Sequence, residues 1–303
     1  MQIEGVDMKT NIIVIIYALI IFVQLFCGSS FAMSEEYYLI GTANSINALE
    51  VYNLNKDVFK LHKKTIFPMI NYIQWPIYNR VTNDLYFEGR SEDAIHRGSF
   101  IYKYNHDNNP KTERLLEGRY PALSPDEKWL TFYQHPNKWK FLNLENMQTK
   151  EIVDEIDNFR PPVWISNNRL LYNSINNQLI ILDLLTGEKR MTGYEKIIPG
   201  SLSPDGKKVL CGTYDGMKII LYFIDDNKIE TIKESKFLTI GTTFIWRPDG
   251  KSFLYKRQTW STVLQLREGG LLFLFSLEDK KETDLNSGIN IFGGVVGDFE
   301  KWR

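Results

Sequence analysis

From Tyr37 onward the chain alternates short apolar runs with clusters of proline, aspartate, glycine and asparagine. Runs such as Trp129-Leu130-Thr131-Phe132-Tyr133, Arg169-Leu170-Leu171-Tyr172, Lys208-Val209-Leu210 and Ser252-Phe253-Leu254-Tyr255 are rich in aromatic and branched residues, which predicts strands. A second set begins and ends on an apolar residue at a common offset: Leu49 to Leu54, Trp139 to Leu144, Leu179 to Leu184 and Leu272 to Leu277. Short polar turns follow these runs, and a more polar strand leaves each unit.

Between the inner runs stands a repeated phrase, Ser124-Pro125-Asp126-Glu127-Lys128, Ser203-Pro204-Asp205-Gly206-Lys207 and Arg247-Pro248-Asp249-Gly250-Lys251. Proline pre-sets the first turn position, aspartate bonds to the backbone two residues on, and glycine takes a positive φ, so the phrase is a turn between two strands. A weaker copy is Ser166 to Arg169, and a decayed one is Gly297 to Lys301. The copies recur at roughly 37 to 50 residues, the spacing of propeller blades and other repeat units.

With a short strand before each phrase, every unit has the four strands of a propeller blade. The expected fold is all-β, a six-bladed propeller with inner strands starting near Asn71, Tyr120, Pro162, Gly200 and Thr243. Its blades are 67–117, 118–156, 157–193, 194–236 and 237–288, plus a split blade that joins 37–66 to 289–303. In that split blade Tyr37 to His62 supplies outer strands, and Ile289 to Val296 the inner one. Closure by both ends of the chain hides sheet edges that would otherwise pair with other molecules, and makes 33–303 one domain.

An inner strand ending in tryptophan or leucine, then Ser-Pro-Asp-Gly-Lys, then an aromatic-rich strand, resembles the WD40-like repeat of the TolB-like propeller family and of propellers in the prolyl oligopeptidase superfamily. The resemblance spans residues 37–303; it is specific for the fold and unspecific for the activity, though the likeness to TolB-like proteins supports a non-enzymatic, protein-binding role. It covers the propeller only. Neither the α/β domain that precedes it in TolB-like proteins nor the hydrolase domain of the peptidases is expected beside it.

Lys9, the apolar run Ile12 to Phe26 and the small residues up to Ala32 predict a secretory signal over 1–32, cleaved after Ala32. The run is shorter than the roughly 20 residues of a spanning helix. The expected location is therefore the periplasm or the exterior, with no membrane insertion after cleavage. Met8 is an alternative start, since Met1 to Asp7 is acidic for such a region. Cleavage removes Cys27 and leaves Cys211 alone, so no intrachain disulfide is expected, and Cys211 fits a buried strand position. With 43% hydrophobic residues the core needs no staple.

The net charge is −1, and Glu4, Asp7 and Lys9 carry that same −1 within the signal, so the exported chain is formally neutral. There is no basic field for nucleic acid. The sequence lacks a Gly-x-Ser-x-Gly elbow, a His-Glu-x-x-His pair and a phosphate-binding loop. His62, His96, His106 and His135 are spread over several units, and the phrase aspartates are accounted for by their turns. No cofactor and no metal are expected.

In a four-stranded blade the phrase lies on one face of the disc and the middle hairpin loop on the other. Two middle loops are expanded, 90–97 and 257–270. Long loops on a rigid scaffold carry function, which makes Arg90, Glu92, Asp93, His96, Arg97, Arg257 and Trp260 the candidate binding residues. Trp75, Trp164 and Trp246 close inner strands, and Trp139 shares the register of Leu49, Leu179 and Leu272, so these four are assigned to packing. The function expected is a monomeric exported propeller that binds an envelope protein or peptide through this face. The alternatives are a carbohydrate- or peptide-directed enzyme with residues converging at the channel mouth, and a module that binds cell-wall sugar.

Overall fold

The structure, a computed structural model, describes residues 38–41, 48–53, 60–91, 98–105, 111–136, 138–152, 156–157, 161–234, 239–257, 271–285 and 294–297. The signal segment, Cys27, His96, His106 and the decayed phrase after Gly297 lie outside them. Every element among the described residues is a strand. In chain order they are β1 (Tyr38–Gly41), β2 (Ala48–Asn53), β3 (Lys60–Ile66), β4 (Ile70–Asn79), β5 (Asp84–Ser91), β6 (Ser99–Asn105), β7 (Lys111–Glu117) and β8 (Arg119–Leu123). Next come β9 (Trp129–Gln134), β10 (Lys138–Asn143), β11 (Thr149–Glu151), β12 (Val163–Trp164), β13 (Arg169–Asn173), β14 (Gln178–Asp183), β15 (Lys189–Glu195) and β16 (Ile197–Leu202). The last are β17 (Lys208–Thr213), β18 (Lys218–Phe223), β19 (Lys228–Glu234), β20 (Thr239–Trp246), β21 (Ser252–Arg257), β22 (Leu271–Ser276), β23 (Glu282–Asp284) and β24 (Gly294–Gly297).

Five four-stranded antiparallel sheets are built of consecutive strands, β4 to β7, β8 to β11, β12 to β15, β16 to β19 and β20 to β23. These are propeller blades. A further four-stranded sheet has the order β24-β1-β2-β3 and so combines both ends of the described chain. Its register pairs Leu39 with Val296 and Ile40 with Val295. β24 lies against both β20 and β4, and the innermost strands β4, β8, β12, β16 and β20 meet their neighbours in the same sequence. Residues 289–293 of the expected inner strand fall outside the described residues.

Burial explains the apolar runs. Val209 and Cys211 pack with Leu171, Leu179 and Ile181 of the preceding blade, whereas Leu210, Ile219 and Leu221 pack with Phe244, Phe253 and Phe273 of the next. A middle strand of a blade is thus covered on both faces, so β14 and β18 read as continuous apolar stretches instead of alternating ones. The outermost strands are largely exposed, as in β7 and β19. Leu49, Trp139, Leu179 and Leu272 are all buried, as their shared register requires. Burial pushes the Cys211 thiol well above its ordinary value, so the group stays neutral.

The phrase is a hydrogen-bonded unit. In Ser203 to Lys208 the Gly206 N–H donates to the Ser203 carbonyl at 2.9 Å, and Gly206 has φ of 71°. The Lys208 N–H donates to Ser203 Oγ at 3.0 Å, Ser203 Oγ donates to Asp205 Oδ1 at 2.5 Å, and the Lys207 N–H donates to the same oxygen at 3.1 Å. Ser124 and Asp126 repeat the arrangement. The aspartates are therefore turn residues. These bonds favour the ionised carboxylate, and although partial burial opposes ionisation, Asp205 is held below its ordinary pKa by Ser203 and the Lys207 N–H.

Candidate functional site

The candidate binding residues divide by what the structure describes. Glu92, Asp93, His96, Arg97 and Trp260 lie outside the described residues, and Arg257 is described as the last backbone position of β21. Arg90 closes the ladder of β5 against β6 by pairing with Ser99, and it is exposed. Its guanidinium carbon lies 5.0 Å from the centre of the Tyr72 ring, a cation–π contact. Tyr72 sits just inside β4, where the register shifts between Asn71 and Gln74, and takes φ of 54°. That bulge turns the ring outward. With Ile66 and Met69 it forms an exposed apolar group along the connection from β3 to β4, at 52%, 59% and 65% exposure respectively.

Topology puts this connection beside the composite sheet. β5 leads into 92–97 and β21 into 258–270, and the blades that contain them hold the inner strands β4 and β20 that flank β24. The sequence signal for the apolar group is Ile66-Phe67-Pro68-Met69, an apolar linker where a polar turn would be expected.

A second feature is the channel at the centre of the ring. A cavity of about 440 Å³ lies among the inner strands, walled by Trp75, Tyr120, Pro162, Gly200 and Phe244, with Arg80 and Glu127 at the end where the repeated phrase turns. Trp75 corrects the assignment made from the sequence. It is not at the end of its strand but in the middle of β4, with φ of 53°, and it meets the Tyr120 ring edge-on at 5.5 Å between ring centres. Tyr120, also at positive φ, stacks in turn on Trp139. Trp164 and Trp246 do pack: each is buried and donates its Nε1–H to a carbonyl of the preceding blade, Ala122 at 3.2 Å and Ser201 at 3.1 Å.

Near the start of β8 a buried carboxylate joins two blades. Glu88 accepts from Arg119 Nε at 2.9 Å and from the Tyr120 N–H at 3.2 Å, while the Arg119 guanidinium lies over the Tyr120 ring. Burial alone would lower the Arg119 pKa, but the Glu88 carboxylate outweighs it and holds the guanidinium above its ordinary value. Burial also raises the Tyr120 phenol, against the pull of Arg119. This pair is a fixed structural clasp with both charges satisfied.

His135 is exposed and lines none of the described cavities. Among the described residues no group of three or more His, Cys, Asp or Glu side chains is placed to hold a metal ion. The short middle loop Tyr214 to Gly216 holds a network that its length alone does not announce: Thr213-Tyr214-Asp215-Gly216-Met217-Lys218 repeats the phrase hydrogen bonds on the opposite face, with Thr213 in the place of serine. The signal was a Thr-x-Asp-Gly spacing without its proline.

No protein-family model matches the chain, and no curated protein does. Solved structures do. TolB from Acinetobacter baumannii superposes with a TM-score of 0.62 at 15% identity, over 87% of this chain and 65% of that one, so this chain spans less than two thirds of the TolB chain. A chain of a nidogen/laminin complex gives 0.59 at 11% identity, over 86% and 98%. An oligogalacturonate lyase in complex with manganese gives 0.51 at 15% identity, over 82% and 72%. Identities this low carry the fold and nothing finer, and the fold they establish for the described residues is a β-propeller of four-stranded blades of the kind found in TolB.

Proposed function

We propose that this chain is an exported, non-enzymatic propeller that binds an envelope protein or peptide through the face carrying 90–97 and 257–270. In this reading the β24-β1-β2-β3 sheet counts as the sixth blade, 1–32 is a cleaved signal, and the mature protein is a periplasmic or secreted monomer. The observation that carries it is the exposed group Ile66, Met69 and Tyr72 with Arg90 over the Tyr72 ring. Exposed apolar side chains beside an aromatic-arginine pair match the composition of an interface. The likeness to TolB and to a nidogen/laminin chain supports a binding role.

The test is capture of a partner from an envelope extract by the mature protein and by its Trp260→Ala variant. If Trp260 anchors the partner, the variant loses about 2 kcal/mol or more of affinity, while its urea stability stays within about 0.5 kcal/mol of the parent. A large loss of stability with binding unchanged would place Trp260 inside the disc and remove it from the site. The carbohydrate-directed alternative draws its support from the lyase likeness. Turnover of oligogalacturonate by the mature protein would establish that alternative in place of the binding reading.

A further inference from the structure

We propose that the crevice between the composite sheet and the β4 to β7 blade is a peptide groove that takes a bulky apolar side chain followed closely by a carboxylate. The inference rests on the binding role given above and assigns it a specific pocket and a partner chemistry. The crevice has a volume of about 570 Å³, within the range of small-ligand and side-chain pockets. One wall is the connection from β3 to β4, with Ile66, Phe67 and Met69, and the other is formed by Tyr102, Tyr104 and Arg114 of β6 and β7.

The walls differ in rigidity and in chemistry. Phe67 is buried, edge-on to Tyr104 at 5.1 Å and tilted against Phe87 at 5.2 Å, while Tyr102 stacks on Phe87 at 5.6 Å. Gly89 allows this packing, because a Cβ there would stand 2.5 Å from Ile70 Cγ2 and 3.2 Å from the Tyr102 ring. An aromatic floor is therefore in place before any ligand arrives. Ile66 and Met69 stand exposed at the rim, so an apolar side chain entering the groove would remove both from water.

Charge selects the rest of the ligand. Arg114 lies directly across from Tyr102 in the ladder, and its guanidinium is 4.7 Å from the Phe100 ring centre. Among the described residues no carboxylate lies within ion-pair distance of Arg114. Its guanidinium is thus supported through its face by an aromatic ring. A planar guanidinium so placed suits a carboxylate, which it can bind through two parallel N–H donors. A basic peptide would meet the Arg114 guanidinium, which has no carboxylate partner among the described residues.

Selection of phage-displayed random heptapeptides on the mature protein, followed by fluorescence anisotropy with labelled winners, tests the inference. The expected winners carry a bulky apolar residue with Asp or Glu within two positions. Arg114→Glu should weaken them at least tenfold, Arg114→Lys less, and Met69→Asp should also weaken them, all three variants keeping the parent's urea midpoint. Selection of basic peptides, no selection at all, or winners that bind Arg114→Glu like the parent would overturn the groove. If the groove fails in this way while partner capture still depends on Trp260, the binding role stands and only this pocket falls.

Discussion

Glu127 occupies the phrase position held by glycine in the copies at Gly206 and Gly250, and it adopts the same backbone, with φ of 59° against 71° and 65°. A side chain in that left-handed region costs about 1 kcal/mol relative to glycine. The compensation crosses to the neighbouring blade. There the turn Asn79 to Asn83 lacks a phrase of its own, and the Glu127 carboxylate accepts from the Arg80 N–H at 2.5 Å and the Val81 N–H at 3.0 Å. The Glu127 carbonyl accepts from Asn79 Nδ2 at 2.9 Å, a bond that needs no side chain at position 127. At a half-exposed site each carboxylate bond contributes about 0.5–1 kcal/mol. Glu127→Ala keeps the strained backbone and loses both bonds, so it should cost about 1–2 kcal/mol. Glu127→Gly loses the same bonds but relieves the strain, so it should lie about 1 kcal/mol above the alanine variant. Urea midpoints at constant m-value give the order directly. An alanine variant as stable as the glycine one would refute the strain argument, and a glycine variant more stable than the parent by the full strain would refute the bonds to Arg80 and Val81.

Three further outcomes follow from the packing and the turns. Deleting residues from Ile289 onward removes β24 and exposes the edge of β1, so the whole domain should lose stability; a truncated protein that melts like the parent would refute the shared sheet. Gly200→Ala should cost about 1–3 kcal/mol by overpacking, because its Cβ would lie 2.4 Å from the buried Phe244 ring and 3.1 Å from the Leu210 carbonyl; an unchanged urea midpoint would show that the ring yields freely. Asp205 has a folded pKa below its unfolded value near 3.8, so its contribution is complete above that value and is lost as pH falls through the lower folded pKa. Thermal melts of Asp205→Asn should therefore lie below the parent at neutral pH and converge with it in that acid window, and a gap that stays constant into acid would exclude the carboxylate as its cause.

The blade repeat was legible because it rests on local chemistry. The phrase serine and aspartate find their hydrogen-bond partners within five residues, so the turn can be read from spacing alone, and Leu179 or Ile220 must be apolar in any blade that is covered on both faces. The inner strands were less legible. β16 begins at Ile197 and β20 at Thr239, ahead of the starts expected at Gly200 and Thr243, because both pair through a register shift, at Pro199/Ser201 and at Thr239/Phe244. A bulge is set by the neighbouring blade, as Gly200 shows by its approach to Phe244, and no local pattern announces it. The same cause hid Trp75. Its place in mid-strand with positive φ follows from the two register shifts in β4, and these turn it toward the channel instead of into a blade interface.

These differences bear on where function can be placed. On the phrase face the turns are fixed by their own hydrogen bonds and, at Glu127, by bonds to the preceding blade, so a changed residue there is met first as a change in stability. On the opposite face the connection from β3 to β4 leaves Ile66, Met69 and Tyr72 in solvent, and the Arg90 guanidinium rests on the Tyr72 ring. Side chains that add nothing to the core, and that carry apolar area or charge into water, cost stability or solubility unless something covers them. The scaffold around them is rigid: Phe67, Phe87, Tyr102 and Tyr104 form a packed aromatic floor a few ångströms beneath. A partner that binds there meets a surface already ordered, so little of its binding energy goes to arranging the site. An ordered aromatic floor beneath the exposed Ile66 and Met69, with the Arg114 guanidinium beside it, is the physical ground for seeking a partner at the β3 to β4 connection before the channel.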